Sequence, residues 1–96
     1  MAVIRVVVLY GEEPDAEQYA AHAEVCRQVP GGTFRHGEVF GAPMGEPAHR
    51  YLAEWEFADE EAFKAATRSD EFMATAHDAR DRGLPRPTVE FVRLSP

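Results

Sequence analysis

The opening stretch MAVIRVVVLY constrains this chain most, because from Val3 to Tyr10 it is apolar on both alternations. In an extended strand Ile4, Val6 and Val8 face one way, and Val3, Val7 and Leu9 face the other. A strand with one wet face alternates polar and apolar residues, so this one is expected to be covered on both sides. The run is far short of the ~20 residues that span a bilayer, and Arg5 interrupts it. No small-residue cleavage site follows it. The expectation is a cytoplasmic protein with no membrane partner.

The rest of the chain supplies one layer of helices. Asp15 is placed to cap a helix from Ala16 to Val29, with Gln18 as its capping-box partner. Ala16, Tyr19, Ala23 and Cys26 share one side of that helix, and His22 lies at the stripe's edge. Pro30-Gly31-Gly32 stops it. A second strand runs from Thr33 to Phe40, where Gly37 signals a bulge or a close backbone approach. A third, His49 to Phe57, sends Tyr51, Ala53, Trp55 and Phe57 one way and Arg50, Leu52, Glu54 and Glu56 the other. Asp59 caps a helix whose inner face is Ala62, Phe63 and Ala66. Ser69 or Asp70 caps another, with Phe72, Ala76 and Ala79 inward, so two helical pieces meet near residues 68–70 and end at Gly83. Pro85 and Pro87 precede a last strand from Thr88 to Leu94.

This order is βαββαβ, the split βαβ arrangement. The fold class is α+β, a ferredoxin-like antiparallel sheet with helices on one face, formed as a single domain over residues 1–96. Helices on one face leave the other bare, and the two-sided first strand implies that a second copy covers it. The expected partner is therefore a homodimer mate, sheet against sheet. With 17 acidic against 10 basic residues and a net charge of −7, nothing concentrates cations for a phosphate backbone, which excludes nucleic acid as a partner. The single cysteine, Cys26, excludes an internal disulfide framework and fits a reducing compartment.

Three stretches carry a family resemblance. Tyr19 to Gly31, YAAHAEVCRQVPG, places an aromatic, then His22, then a Val-Pro-Gly stop. Tyr51 to Phe63, YLAEWEFADEEAF, forms a strand and helix start. Ser69-Asp70-Glu71-Phe72 with Asp78 forms a later helix. Together they resemble the EthD-like branch of the dimeric α+β barrel proteins. The resemblance implies a homodimer with a cleft between sheet and helices or at the barrel mouth. It also implies cofactor-free isomerase, cyclase, dehydratase or decarboxylase chemistry on small cyclic or aromatic compounds. Haem binding, which some distant barrel relatives show, requires an axial ligand in the cleft, and no residue is singled out for that role.

Several side chains are candidates for such chemistry. His22 has the titration range of a general acid or base; the alternative is a half-buried imidazole bonded to a neighbouring strand. His36, on the second strand, is its best partner. Glu54 and Glu56 lie two apart on one strand face, with Arg5 on the adjacent strand. As a partly desolvated pair they are expected to push one carboxyl pKa up and make it a proton acceptor. The alternative is salt bridges to Arg5 or Arg93, or across a dimer. Tyr51 and Trp55, with Arg5 and Glu56, are expected to line the cavity, while Phe34, Phe40 and Phe57 are either pocket or core. Cys26 reads as a small core residue. His49 is expected at a strand edge and His77 on the last helix. No HxH, HxxxH or HExxH spacing joins the four histidines, so no metal is expected, and no glycine pattern cradles a nucleotide. The expected function is a cofactor-free enzyme moving protons on a small cyclic or aromatic compound, with His22, His36 and Glu54 catalytic. The alternative is a non-catalytic protein that binds a small apolar or cyclic organic ligand.

Overall fold

The structure, a computed structural model, describes residues 2–96. In chain order its elements are β1 (Ile4–Tyr10), α1 (Ala16–Cys26), β2 (Gly32–Glu38), β3 (Tyr51–Phe57), α2 (Glu60–Thr67), α3 (Asp70–Asp81) and β4 (Thr88–Arg93). The strands form one antiparallel sheet in the order β2-β3-β1-β4. This is the ferredoxin-like topology that the sequence pattern implies. The apolar β1 is an inner strand, paired with β3 on one side and β4 on the other.

Each helix starts where a short polar side chain meets a free backbone N–H. Asp15 accepts from Gln18 N–H at 3.0 Å, Asp59 from Ala62 N–H at 2.8 Å, and Ser69 from Phe72 N–H at 3.1 Å. These satisfy donors that the first helical turn leaves open. Gln18 does not complete a capping box; its side-chain amide oxygen instead accepts from Arg82. Helix α1 ends at Cys26, earlier than the apolar spacing implies. Gln28 and Val29 close tighter turns onto Val25 and Cys26, and Pro30 has no N–H to extend the ladder. Trp55 Nε1–H donates to the Cys26 carbonyl at 2.9 Å and satisfies one of the acceptors at that helix end.

The helix face of the sheet carries the core. Val6, Ala53, Phe57 and Ala66 are fully enclosed, and Tyr10, Tyr19, Ala23, Cys26 and Trp55 nearly so. Ala16 is exposed, so the buried stripe of α1 is Tyr19, His22, Ala23 and Cys26. On α3 the buried position is Thr75, with Ala76 exposed. The close backbone approach falls at Gly32, where an added Cβ would stand 2.5 Å from the Phe57 ring. Gly37 has open space, and β2 pairs through it with β3 in unbroken register, so there is no bulge.

Helices α1 and α2 lie over β2, and α2 also lies over β3. They leave β4 largely uncovered, and its Val89 and Phe91 are 50 % and 62 % exposed. Among the described residues the opposite face of the sheet bears no helix. It presents the half-buried Val7, Leu9, Leu52 and Val92 together with Arg5, Arg35, Glu54 and Glu56. The second side of β1 is thus apolar, as its sequence implies, but it shares that surface with a cluster of charges.

Candidate functional site

The incomplete helix layer leaves a cleft of about 860 Å3 between the sheet and α3. Its floor comes from β1, β2 and β3, through Val8, Tyr10, Phe34 and Trp55. Phe72 of α3 and Leu84 of the following turn form the opposite wall. Gly83, at φ +69°, takes the left-handed conformation that ends α3 and turns the chain toward β4.

His22 reaches this cleft from α1 although only 4 % of it is exposed. Its Nδ1 lies 2.8 Å from a carboxylate oxygen of Asp78 on α3. Burial disfavours charge on Asp78, but hydrogen bonds from His22 and Arg82 outweigh it and hold the carboxyl below its ordinary 3.8. Arg82, one turn on, donates to the same oxygen at 2.9 Å. A charged Asp78 requires a proton on Nδ1 and leaves Nε2 as the ring's free nitrogen. Nε2 lies 3.3 Å from Cys26 Sγ. Burial pushes the Cys26 thiol up to about 12, helped by the nearby Asp78 charge, so the thiol keeps its proton and donates it to Nε2.

The structure divides the sequence-derived candidates between three places. His22 and Trp55 line the cleft. His36 and Tyr51 lie on the same face of the sheet but outside the cleft, bonded to each other at 2.6 Å. The Tyr19 ring stands against both histidines, with centroids 5.3 Å from His22 and 5.1 Å from His36. Burial, with the Arg27 charge nearby, lowers the His36 pKa, while burial raises that of Tyr51, so the phenol donates to a neutral imidazole. Arg5, Glu54 and Glu56 lie on the opposite face. The sheet therefore separates Glu54 from His22, and the carboxylate that reaches His22 is Asp78.

The glutamate pair is a salt-bridge lattice. Arg5 holds Glu56 at 2.8 Å, and Arg35 reaches Glu54 at 2.6 Å and Glu56 at 3.1 Å. The Arg5 hydrogen bond draws the Glu56 carboxyl below its ordinary range, against the upward push expected of two adjacent carboxylates, because guanidinium groups sit between them. Arg93 takes no part in this lattice and pairs with Glu60 of α2. Among the aromatics, Phe40 is 95 % exposed and Phe57 is core. Among the described residues no group of three or more His, Cys, Asp or Glu is placed to hold a metal ion, and no helix is long and apolar enough to cross a membrane.

A scan of protein-family models finds no match to the chain, and a search of curated proteins finds none. Solved structures do match. An EthD family protein from Bacillus halodurans C-125 is 26 % identical, with a TM-score of 0.71 over 99 % of this chain and 100 % of that one. A dimeric ferredoxin-like protein of unknown function from Jannaschia sp. CCS1 is 17 % identical, with a TM-score of 0.69 over the whole of both chains. A hydroxynitrile lyase from Passiflora edulis is 14 % identical, with a TM-score of 0.69 over 98 % of this chain and 94 % of that one. At their lower identity the last two establish the shared fold alone.

The depressed Asp78 pKa gives a pH signature. A carboxyl that titrates lower in the folded state stabilises the fold above its unfolded pKa, and that stability is lost as pH falls through the folded value. Asp78→Asn should lower the unfolding free energy by about 1–2 kcal/mol at pH 7, the loss of a charge-assisted hydrogen bond. Urea titrations should show the gap to wild type closing as pH drops below the ordinary aspartate range. A gap that stays constant to pH 2–3 would mean that Asp78 carries no such charge.

Proposed function

We propose that this EthD-like chain, with the fold of the dimeric α+β barrel proteins, is a cofactor-free enzyme that moves a proton on a small cyclic or aromatic compound held in the cleft. The observation that carries this reading is the Asp78–His22 pair at the edge of a largely apolar cavity. Asp78 fixes the imidazole tautomer and stands against the positive charge that forms when Nε2 takes a proton. The Cys26 thiol is a weak donor to Nε2, which a substrate C–H or O–H can displace. Tyr10, Phe34 and Trp55 offer flat apolar surface to a ring. The comparison with Bacillus halodurans supports an EthD-type protein, and the lyase shows that this fold is used by an enzyme.

A second reading has its own support. His22 is nearly enclosed, and its Nε2 already has a partner, which suits a ligand-binding protein without catalysis. Solvent-deuterium exchange into a panel of cyclic ketones, lactones and enolisable ring compounds, followed by proton NMR, separates the two. The enzyme reading expects exchange above the buffer rate for at least one compound. His22→Gln should lower it roughly 100-fold or more, the usual scale of general acid–base catalysis. Binding without exchange in wild type, or exchange that survives His22→Gln, contradicts the enzyme reading.

We also infer that the helix-free face pairs with the same face of a second copy. The chain is a slab only 16 Å through its shortest extent, one sheet and one helix layer. Val7, Leu9, Leu52 and Val92 on that face gain from burial, and the Jannaschia relative is described as dimeric. The Arg5–Glu54–Glu56–Arg35 lattice then faces the shared interior. Sedimentation equilibrium at micromolar concentration should return twice the mass of one chain; the mass of a single chain contradicts the pairing.

A further inference from the structure

We propose that the cleft selects an amphipathic organic anion, a ring compound bearing a carboxylate or similar acidic group, with its ring inward and its charge at Arg80 and Arg86. This rests on reading the cleft as the substrate site and adds the substrate's chemical class.

The chain is acidic, with a net charge of −7, yet the cleft has the opposite character. Among the described residues no Asp or Glu lines it, and its charged lining side chains are Arg80 and Arg86, with His77 beside them. Among the described residues neither arginine has a carboxylate within salt-bridge distance. Arg5, Arg27, Arg35, Arg50, Arg82 and Arg93 each do. Among the described Lys and Arg side chains only Arg68 shares that condition, so two of the three unpaired arginines open onto one cavity.

Their placement gives the cavity a polarity. Trp55 and Tyr10, in its lining, are buried, 4 % and 2 % exposed. Arg80, in the last turn of α3, and Arg86, in the turn before β4, are exposed at its rim. A cation near a helix C-terminus has a helix-dipole explanation, which accounts for Arg80. It does not account for Arg86, which lies outside any helix. Pro85 and Pro87 flank Arg86 and fix the backbone torsions on either side of it, so its guanidinium is presented from a stiff segment. Guanidinium forks match the two oxygens of a carboxylate, and they do so best beside apolar surface that keeps water away.

Calorimetric titration with 2-naphthoate and its neutral analogue 2-naphthamide tests this. Wild type should bind the naphthoate roughly tenfold tighter than the amide at low ionic strength, the scale of one charge-assisted contact. Added salt should shrink that preference. The Arg80→Gln/Arg86→Gln double variant should bind both compounds alike, with amide affinity unchanged. If that variant unfolds, Arg86→Gln alone, in an exposed turn, should lower the preference in the same direction. Equal affinities in wild type, or a preference that survives the substitutions, overturns the anion assignment and leaves the cleft as an apolar site. Failure of both compounds to bind overturns the assignment together with the reading of the cleft.

Discussion

The contact between His22 and Asp78 is the one on which the functional arrangement depends. It joins α1 to α3, elements far apart in the chain, at the point where α3 becomes the outer wall of the cleft. A buried charge costs free energy unless it is paired and hydrogen-bonded. Asp78 meets that condition through His22 on one side and Arg82 on the other. Arg82 also reaches Gln18 at 3.1 Å and so braces the two helices a second time. The same bond that positions α3 therefore orients the imidazole. The structural role and the proposed chemical one thus fall on one pair of side chains.

The rest of the site follows from how little the helices cover. Three short helices lie over part of a four-stranded sheet, and Val89 and Phe91 of β4 stay exposed beside the cleft. Among the described residues the other face of the sheet has no helix, and there the apolar Val7, Leu9 and Leu52 lie beside a four-residue charge lattice. That lattice is internally neutral, two arginines against two glutamates, so it can be enclosed at smaller cost than isolated charges. The ferredoxin-like fold thus offers two distinct environments. One is an apolar cleft with a histidine inside a single chain, and the other is a charged, half-apolar surface.

Much of the fold was legible because it follows local rules. The period of two in β3 placed Ala53, Trp55 and Phe57 inward, and the caps at Asp15, Asp59 and Ser69 or Asp70 marked the helix starts. What the sequence left open were long-range facts. The match of Asp78 to His22 spans 56 positions and has no local signature, although both residues lie in stretches that carry the family resemblance. Arg35 joins Glu54 only through the β2–β3 register, and Arg93, a candidate alongside Arg5 by sequence, is held by Glu60 instead. Strand parity alone does not say which face the helices take, and so Glu54 could be paired with His22 on paper while the sheet stands between them. By sequence Gly37 is the glycine inside a strand, but the space-limited one is Gly32, because only tertiary packing brings the Phe57 ring against it.

The tautomer of His22 tests the central claim most directly. Long-range proton–nitrogen correlation NMR on labelled protein, at a pH where the ring is neutral, reads each ring nitrogen separately. The expected spectrum shows Nδ1 protonated and Nε2 bare, as the Asp78 bond requires. A proton on Nε2 with Nδ1 bare would mean that Asp78 does not orient the ring, and His22 would then present no free base to the cleft.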